Sequence, residues 1–308
     1  MRHIEEPTAN EALRRWLTHV DQCVHVATSG NSVYHVVSGG ERYALRLTDP
    51  EHRTGPENEA ETEFIRHLVA QALPVASPVA SRAGRFVEEV EGVSASLFGW
   101  IDGEEVDWTG PHWQAGFFRA WGRALGAIHR ASIGYRGAPR WEWQDERLLG
   151  QAEALIPEDD LVSRAELALT MRELAPLPRT EQEYGMIHAD FAPLNFRFSP
   201  PDRIMAFDFG NCCRHWFVQD IAISLLFFRR DAGREGFATA FLAGYQEARP
   251  IPAETWRGLG SLMRLRILYV YLSRLKKFGP SPAPTERAIL SNLRLAVAER
   301  FAWEPRLP

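Results

Sequence analysis

The sequence predicts an α+β protein of two lobes: an N-terminal lobe built on an antiparallel β-sheet with one helix, and a larger, mostly helical C-terminal lobe. Three observations carry this. Short β-rich runs separated by turn compositions recur between residues 23 and 101, helical periodicity dominates residues 112–300, and the segment between them, DGEEVDWTGP at 102–111, is acidic and turn-forming. That break sets the boundary between lobes 1–101 and 102–308. A chain of 308 residues, 45% hydrophobic and 24% charged, suits one large or two modest soluble domains.

Residues 9–19 read as a short helix. CVHVAT, SVYHVV and RYALRL follow as strands, separated by SGN and SGGE, so an antiparallel meander is expected. In PENEAETEFIRHLVAQAL the residues Phe64, Ile65, Leu68 and Val69 fall at helical spacing, and Pro74 closes the helix. RFVEEV and SASLFGWI add short strands. Beyond the break, a helix around 112–130 carries Trp113, Phe117, Trp121, Leu125 and Ile128 on one face, the pattern of a core-facing helix. An amphipathic region covers 146–175, and further helices fall near 218–229, 235–247, 254–277 and 284–300. Among them FRF and RIMAF flank the turn composition SPPD, so residues 195–208 read as a β-hairpin.

Composition removes several function classes. The net charge of −5 argues against nucleic acid as a partner. Three cysteines, Cys23 and the adjacent Cys212 and Cys213, form neither a disulfide framework nor a CxxC zinc spacing and fit a reducing cytoplasm. MRHIEEPTANEALRRWL has no apolar core of the signal-peptide kind, and IAISLLFF is too short to span a bilayer, so no membrane partner is expected. The 35 basic residues include only two lysines, Lys276 and Lys277, which sit together at the charged end of a helical segment. No GxxxxGK[ST] occurs, which excludes the P-loop NTPases.

The stretch HADFAPLNFRFSPPDRIMAFDFG, residues 188–210, sets three aspartates among greasy neighbours, where unpaired charge is costly. A hairpin over 195–208 brings Asn195 beside Asp208 and leaves Asp202 as a turn residue. One carboxamide and one carboxylate suit Mg²⁺, which completes its shell with water or phosphate, and suit Zn²⁺ poorly. Asp190 lies five residues before Asn195, in a loop led by His188 and broken by Pro193. A carboxylate there is placed to accept the proton of an attacking hydroxyl. Singly, each residue has an ordinary structural use; together they supply a base and a metal clamp, which is what phosphoryl transfer asks of a protein.

Over nearly the whole chain these motifs resemble the aminoglycoside phosphotransferase, choline kinase and type II homoserine kinase family. GMIHADFAPLNFRF resembles that family's catalytic loop, FDFG its metal-binding strand end, and VQDIAISL the helix whose leading aspartate, Asp220, steadies the loop. The resemblance implies a protein-kinase-like fold and ATP- and Mg²⁺-dependent transfer of the γ-phosphoryl group to a hydroxyl of a small homoserine-, choline- or aminoglycoside-like acceptor. It implies Asp190 as catalytic base, Asn195 and Asp208 on Mg²⁺, and His188 and Asp220 as support. WGRALGAIHR and GAPRWEW are closest to the branch holding homoserine kinases and related bacterial Ser/Thr kinases.

In the same family a turn matching TSGNSVY covers ATP, which implicates Ser29, Gly30, Asn31 and Ser32; composition alone does not separate it from any hairpin turn. Phe98 and Trp100 fall with the nucleotide-binding residues by the same resemblance. Arg46 stands where the fold's third strand carries a phosphate-binding lysine, so either it serves the phosphates or it marks weakened catalysis. Of Glu57, Glu59, Glu61 and Glu63, alignment on the apolar face selects Glu61 as the partner of Arg46. Ala192 replaces a histidine common in the family, and Gly210 with Asn211 replaces an acid, so the acceptor is not carried over. Two rivals remain at this stage: a Ser/Thr protein kinase of the same fold, and a catalytically dead nucleotide-binding pseudokinase. Acidic runs at Asp102, Glu104, Glu105, Asp107 and at Glu158, Asp159, Asp160, with Trp108, Trp141, Trp143 and Trp216, are either acceptor contacts or ordinary loop and core residues. Acceptor contacts are expected within 135–175 and 250–285, and oligomeric state is not legible.

Overall fold

The computed structural model describes residues 3–28, 30–107, 110–138, 140–228 and 233–299. Ser29 and Trp108, both singled out above, lie outside them. In chain order the first elements are α1 (Glu6–Leu13), β1 (Gln22–Thr28), β2 (Asn31–Ser38), β3 (Glu41–Thr48), α2 (Gly55–Ala70), β4 (Pro78–Val79), β5 (Glu88–Val90) and β6 (Val93–Gly99). Then come α3 (Ala115–Ser132), α4 (Arg147–Gly150), α5 (Ala152–Leu155) and α6 (Leu161–Leu174). The remainder comprises β7 (Tyr184–Ile187), β8 (Phe196–Ser199), β9 (Arg203–Ala206), β10 (Cys213–Trp216), α7 (Val218–Phe228), α8 (Arg234–Ala248), α9 (Leu259–Phe278) and α10 (Pro284–Ala298).

The chain forms two compact units that interleave in sequence. One takes the described residues of Met1–Val106, Arg136–Arg140 and Pro193–Gly210; the other takes those of Asp107–Tyr135, Trp141–Ala192 and Asn211–Pro308.

The first unit is an antiparallel sheet in the order β1-β2-β3-β6-β4, with β5 also paired to β6. Period-2 alternation sorts its two faces. Tyr34 and Val36, Leu45 and Leu47, Ala95 and Leu97 bury on one face under Ala9, Ala12 and Leu13 of α1. The opposite face carries Arg46, cross-strand from Val33 and Ser96. A capping box starts α2, with the Thr54 N–H donating to Glu57 Oε2 at 2.6 Å. The β8–β9 hairpin over SPPD joins this unit through Ala76 N–H to Ala206 O (2.9 Å) and Phe198 N–H to Glu104 O (3.0 Å).

The second unit is helical apart from the antiparallel pair β7–β10, in which Cys213 faces Ile187 and Trp216 faces Tyr184. The sequence reading had no strand at either place. α3 buries Phe117, Trp121, Leu125 and Ile128 as expected of its apolar stripe, while Trp113 lies before its start and packs on Phe118 at 4.8 Å. The amphipathic region 146–175 forms three helices, α4 to α6. Asp160 caps the last of them by accepting from Ser163 N–H (3.2 Å), and it also binds the Tyr271 hydroxyl (2.7 Å) and Arg294 (2.9 Å). Among the described residues no helix is long and apolar enough to cross a membrane.

Candidate active site

In the second unit β7 delivers the chain into His188, Ala189 and Asp190. Asp220, in the first turn of the apolar helix α7, reaches behind this loop. Its carboxylate accepts the N–H groups of His188 and Ala189, each at 2.8 Å, and the ring of His129 at 3.1 Å. Ala189 sits at φ 63°, the left-handed region that a non-glycine residue avoids at about 1–2 kcal/mol, and the bond to Asp220 holds it there. Burial alone pushes the Asp220 pKa up, but the His129 hydrogen bond, His129 itself, His188 and the His188 amide outweigh it and hold the carboxyl below its ordinary value. Burial likewise depresses His129 against the pull of Asp220, so its ring is neutral. With Nε2–H given to Asp220, His129 Nδ1 accepts from the Tyr245 hydroxyl at 2.8 Å, and that oxygen accepts from Arg249 at 3.0 Å. A directed chain of hydrogen bonds thus runs from Arg249 to the Asp220 carboxylate, on which the loop amides converge as donors.

Asp190 itself is about a quarter exposed, with 27% of its side chain accessible, and is ion-paired with Arg266 of α9, which also donates to Ala189 O at 3.4 Å. His188 is fully buried; its Nδ1 accepts from the Asp190 N–H (3.3 Å), and its ring meets Phe191 edge-on. Its place is inside the loop, as a support.

In the first unit, Arg46 and Glu61 form a bidentate pair at 2.6 and 2.8 Å, with side chains 8% and 1% exposed. Burial works to raise the Glu61 pKa, and Arg46 with its hydrogen bonds, then Arg140 and Arg53, overcome it and hold it low. The Arg46 guanidinium lies 5.1 Å from the Phe98 ring centroid, a cation–π contact. Arg140 closes the group: it donates to Gly210 O at 2.7 Å and to Glu57 O, and approaches Glu61 at 3.9 Å.

The hairpin brings Asn195 beside the FDFG end, its carbonyl accepting the Phe207 N–H at 2.9 Å. Asp208 follows at φ 59°, a second non-glycine residue in the left-handed region, while Phe209 packs on Phe64 of α2 at 6.1 Å. A Cβ on Gly210 would stand 3.3 Å from Asp208 Oδ1 and 3.9 Å from both Arg46 Nη1 and Asn31 Nδ2. The bare glycine therefore leaves a small cradle between Asp208, Arg46 and Asn31. The Asp208 carboxylate, an oxygen donor without sulfur or imidazole beside it, fits a hard divalent cation, while Arg46 Nη1 and Asn31 Nδ2 are N–H donors that fit phosphate oxygens.

The remaining sequence-derived positions fall as follows. Gly30 is at φ 91°, and a Cβ on it would strike the His52 ring at 2.6 Å, so this turn position needs glycine. Asn31 accepts from the Thr48 hydroxyl at 2.8 Å. Ser32 is not gathered with Arg46: it faces the α1 side, where its hydroxyl accepts the Ile4 N–H at 2.9 Å. Trp100 stacks edge-on against His35 at 4.4 Å. Several acids of the two acidic runs are used within the protein, Asp102 by Arg42, Glu105 by Arg197, and Asp160 as above. Arg140 and Arg266 carry no motif of their own, and sequence reasoning passed over both; GAPRWEW contains the first, noticed only as a family likeness.

The sheet-plus-helix architecture and the clamped HAD loop are those of a kinase-like phosphotransferase. The model of the phosphotransferase enzyme family matches residues 24–259, and the chain belongs to that family. Amicoumacin kinase of Bacillus subtilis (strain 168) is 30% identical over 285 residues, covering 87% of this chain and 84% of its own. Homoserine kinase of Caulobacter sp. (strain K31) is 29% identical over 255 residues, 77% and 75% of the two chains. Among solved structures, an amicoumacin kinase in complex with AMP-PNP, Ca²⁺ and Ami superposes with a TM-score of 0.88 at 26% identity, covering 96% and 93%. A microcompartment-associated aminopropanol kinase, at 20% identity and TM-score 0.79 over 96% and 95%, shares the fold. The protein is a small-molecule kinase of this family.

Proposed function

We propose that the protein transfers the γ-phosphoryl group of Mg-ATP to a hydroxyl of a small organic acceptor. The observation that carries this is Asp208, held in a left-handed backbone beside Gly210, Asn31 and the buried Arg46–Glu61 pair, since such strain persists where a site requires it. Asn195 and Asp208 would hold the Mg²⁺, which neutralises phosphate charge when bound. Arg46, fixed by Glu61, presents a permanent cation to the phosphates. Asp190 takes the proton of the acceptor hydroxyl as its oxygen bonds to the γ-phosphorus and the bond to the β-phosphate oxygen breaks, releasing ADP. Nucleotide and metal use are supported by the amicoumacin kinase solved with AMP-PNP and Ca²⁺. Three free thiols, Cys23, Cys212 and Cys213, support a reducing, cytoplasmic setting.

The test is ADP release from purified protein and Mg-ATP over a panel of hydroxyl compounds, repeated with Asp190→Asn. Acceptor-dependent release should fall by about 10²–10⁴ in the variant, the usual contribution of a general base. If no acceptor raises release above buffer and Asp190→Asn changes nothing, the reading is wrong.

A further inference from the structure

Within the second unit, and walled by its residues alone, an open cleft of about 500 Å³, mouth included, adjoins the catalytic loop through Ala189 and Arg266. Trp141, Trp143 and Tyr269 contribute flat aromatic rings to the wall, beside the aliphatic Leu149, Ile223 and Leu265. Two buried polar atoms of wall residues have no partner within the protein: Trp143 Nε1, a donor, and Gln219 Oε1, an acceptor, on residues 3% and 5% exposed. Orphaned polar atoms of this kind are rare in a folded interior and ask for a ligand that matches them. His215, also in the wall, is neutral, because burial lowers its pKa to about 3. Its Nδ1 accepts the Trp216 N–H at 2.8 Å, so the ring proton sits on Nε2 and adds a further uncharged donor.

Charge in the wall is either scarce or committed. Among the described residues Glu146 is its only carboxylate, too little for a polycationic aminosugar. Arg266 is its only guanidinium, and that group is already held by Asp190 and the Ala189 carbonyl, which leaves a free amino-acid carboxylate without its own cation. We propose that this cleft selects an acceptor alcohol whose body is flat, uncharged and amide-bearing, with the Trp143 indole N–H and the Gln219 carboxamide as its specificity-determining contacts. The assignment rests on the kinase reading above. A carbonyl oxygen answers the indole N–H, an amide N–H answers the Gln219 oxygen, and an acceptor lacking them leaves both buried groups unmet.

The experiment compares N-(2-hydroxyethyl)benzamide, homoserine and kanamycin as acceptors with Mg-ATP. The aryl amide alcohol should have at least tenfold the kcat/KM of either rival, and Gln219→Leu should cut that advantage about tenfold or more through KM. Trp143→Phe, which keeps an aromatic ring and removes the N–H, should act likewise and serves if the first variant fails to fold. Higher kcat/KM for homoserine or kanamycin, or an unchanged amide KM in both variants, overturns the assignment. Binding is measured separately from turnover, by quenching of tryptophan fluorescence in Asp190→Asn protein. Saturable quenching by the benzamide that weakens tenfold with Gln219→Leu upholds the cleft even where no acceptor is turned over and the kinase reading fails; absence of saturable quenching overturns it.

Discussion

Replacing Asp220 with asparagine keeps the side chain's shape and removes its charge and one acceptor. Three donors converge on the carboxylate: the His188 amide and the His129 ring on Oδ2, and the Ala189 amide on Oδ1. A carboxamide has one oxygen, so in either orientation its NH₂ confronts at least one of these N–H groups. The better orientation keeps the two bonds to Oδ2 and loses the one to Ala189. Loss of a hydrogen bond to a charged group costs about 1.5–3 kcal/mol, and a buried donor left unmet adds about 1–3. A total of about 2.5–6 kcal/mol is expected, which brackets the roughly 3–5 kcal/mol for removing one member of a buried charged pair. Ala189 then loses the contact that holds its left-handed backbone. Urea unfolding of Asp220→Asn should show this loss of stability, hydrogen exchange at the Ala189 amide should accelerate, and ADP formation should fall by more than tenfold while the protein is still folded. A stability loss under about 1 kcal/mol with Ala189 protection intact would refute the argument that this carboxylate holds the loop.

Other predictions follow from the same geometry. Glu61→Gln strands the Arg46 charge in an environment where its side chain is 8% exposed; thermal melting should report a loss of about 3–5 kcal/mol, and the KM for ATP should rise. His215 and His129 have pKa values lowered by burial, so the unfolded chain takes up protons below about pH 6.5 while the folded chain does not. Stability from such groups is present above the unfolded pKa and lost as pH falls, which for His215, with its folded value near 3, amounts to about 2 kcal/mol at pH 5. Glu61 and Asp220, also lowered, extend the loss below about pH 4, and a Tm that stays flat from pH 7.5 to 5 would contradict this assignment. Gly122→Ala would place a Cβ 1.8 Å from Phe241 O and should cost more than about 3 kcal/mol by urea titration, whereas Gly116→Ala, with nothing within 4 Å, should be nearly neutral.

What the sequence made legible was whatever is written locally. The meander is visible because strand 2 alternates and the turns on either side of it carry glycine, and α2 because its capping box and apolar spacing agree. The hairpin under Asn195 and Asp208 is visible because SPPD interrupts two apolar runs. β7 and β10 were missed because each is four residues long, and CRHW has no apolar alternation; they exist through pairing with each other across distant sequence. Asp160 looked like part of a solvated acidic run, and only its tertiary partners Tyr271 and Arg294 make it a buried anchor. Arg140 and Arg266 were invisible for a related reason: in a chain whose basic residues are nearly all arginine, nothing local marks the two that meet Gly210 and Asp190.

WGRALGAIHR shows how a family likeness turns into a physical reason. Gly122 and Gly126 lie four apart on α3, so they share one face, and a Cβ on the second would stand 2.8 Å from Tyr245 O. Reciprocally, a Cβ on Gly244 of α8 would come within 1.9 Å of Arg119 O, so the two helices touch backbone to backbone. At that separation Arg119 and Arg123 of α3 both reach Glu247. Further along the same face His129 reaches the Tyr245 hydroxyl at 2.8 Å, and with its other nitrogen it reaches Asp220 at 3.1 Å. Side chains of fixed length span these distances only if the helix axes stay close, and only glycine lets them. Gly122 and Gly126 therefore belong to the positioning of the HAD loop, although neither is near it in sequence. Gly122→Ala should for that reason speed exchange at the Ala189 amide as well as lower stability, an effect that a purely local packing defect between α3 and α8 would not produce.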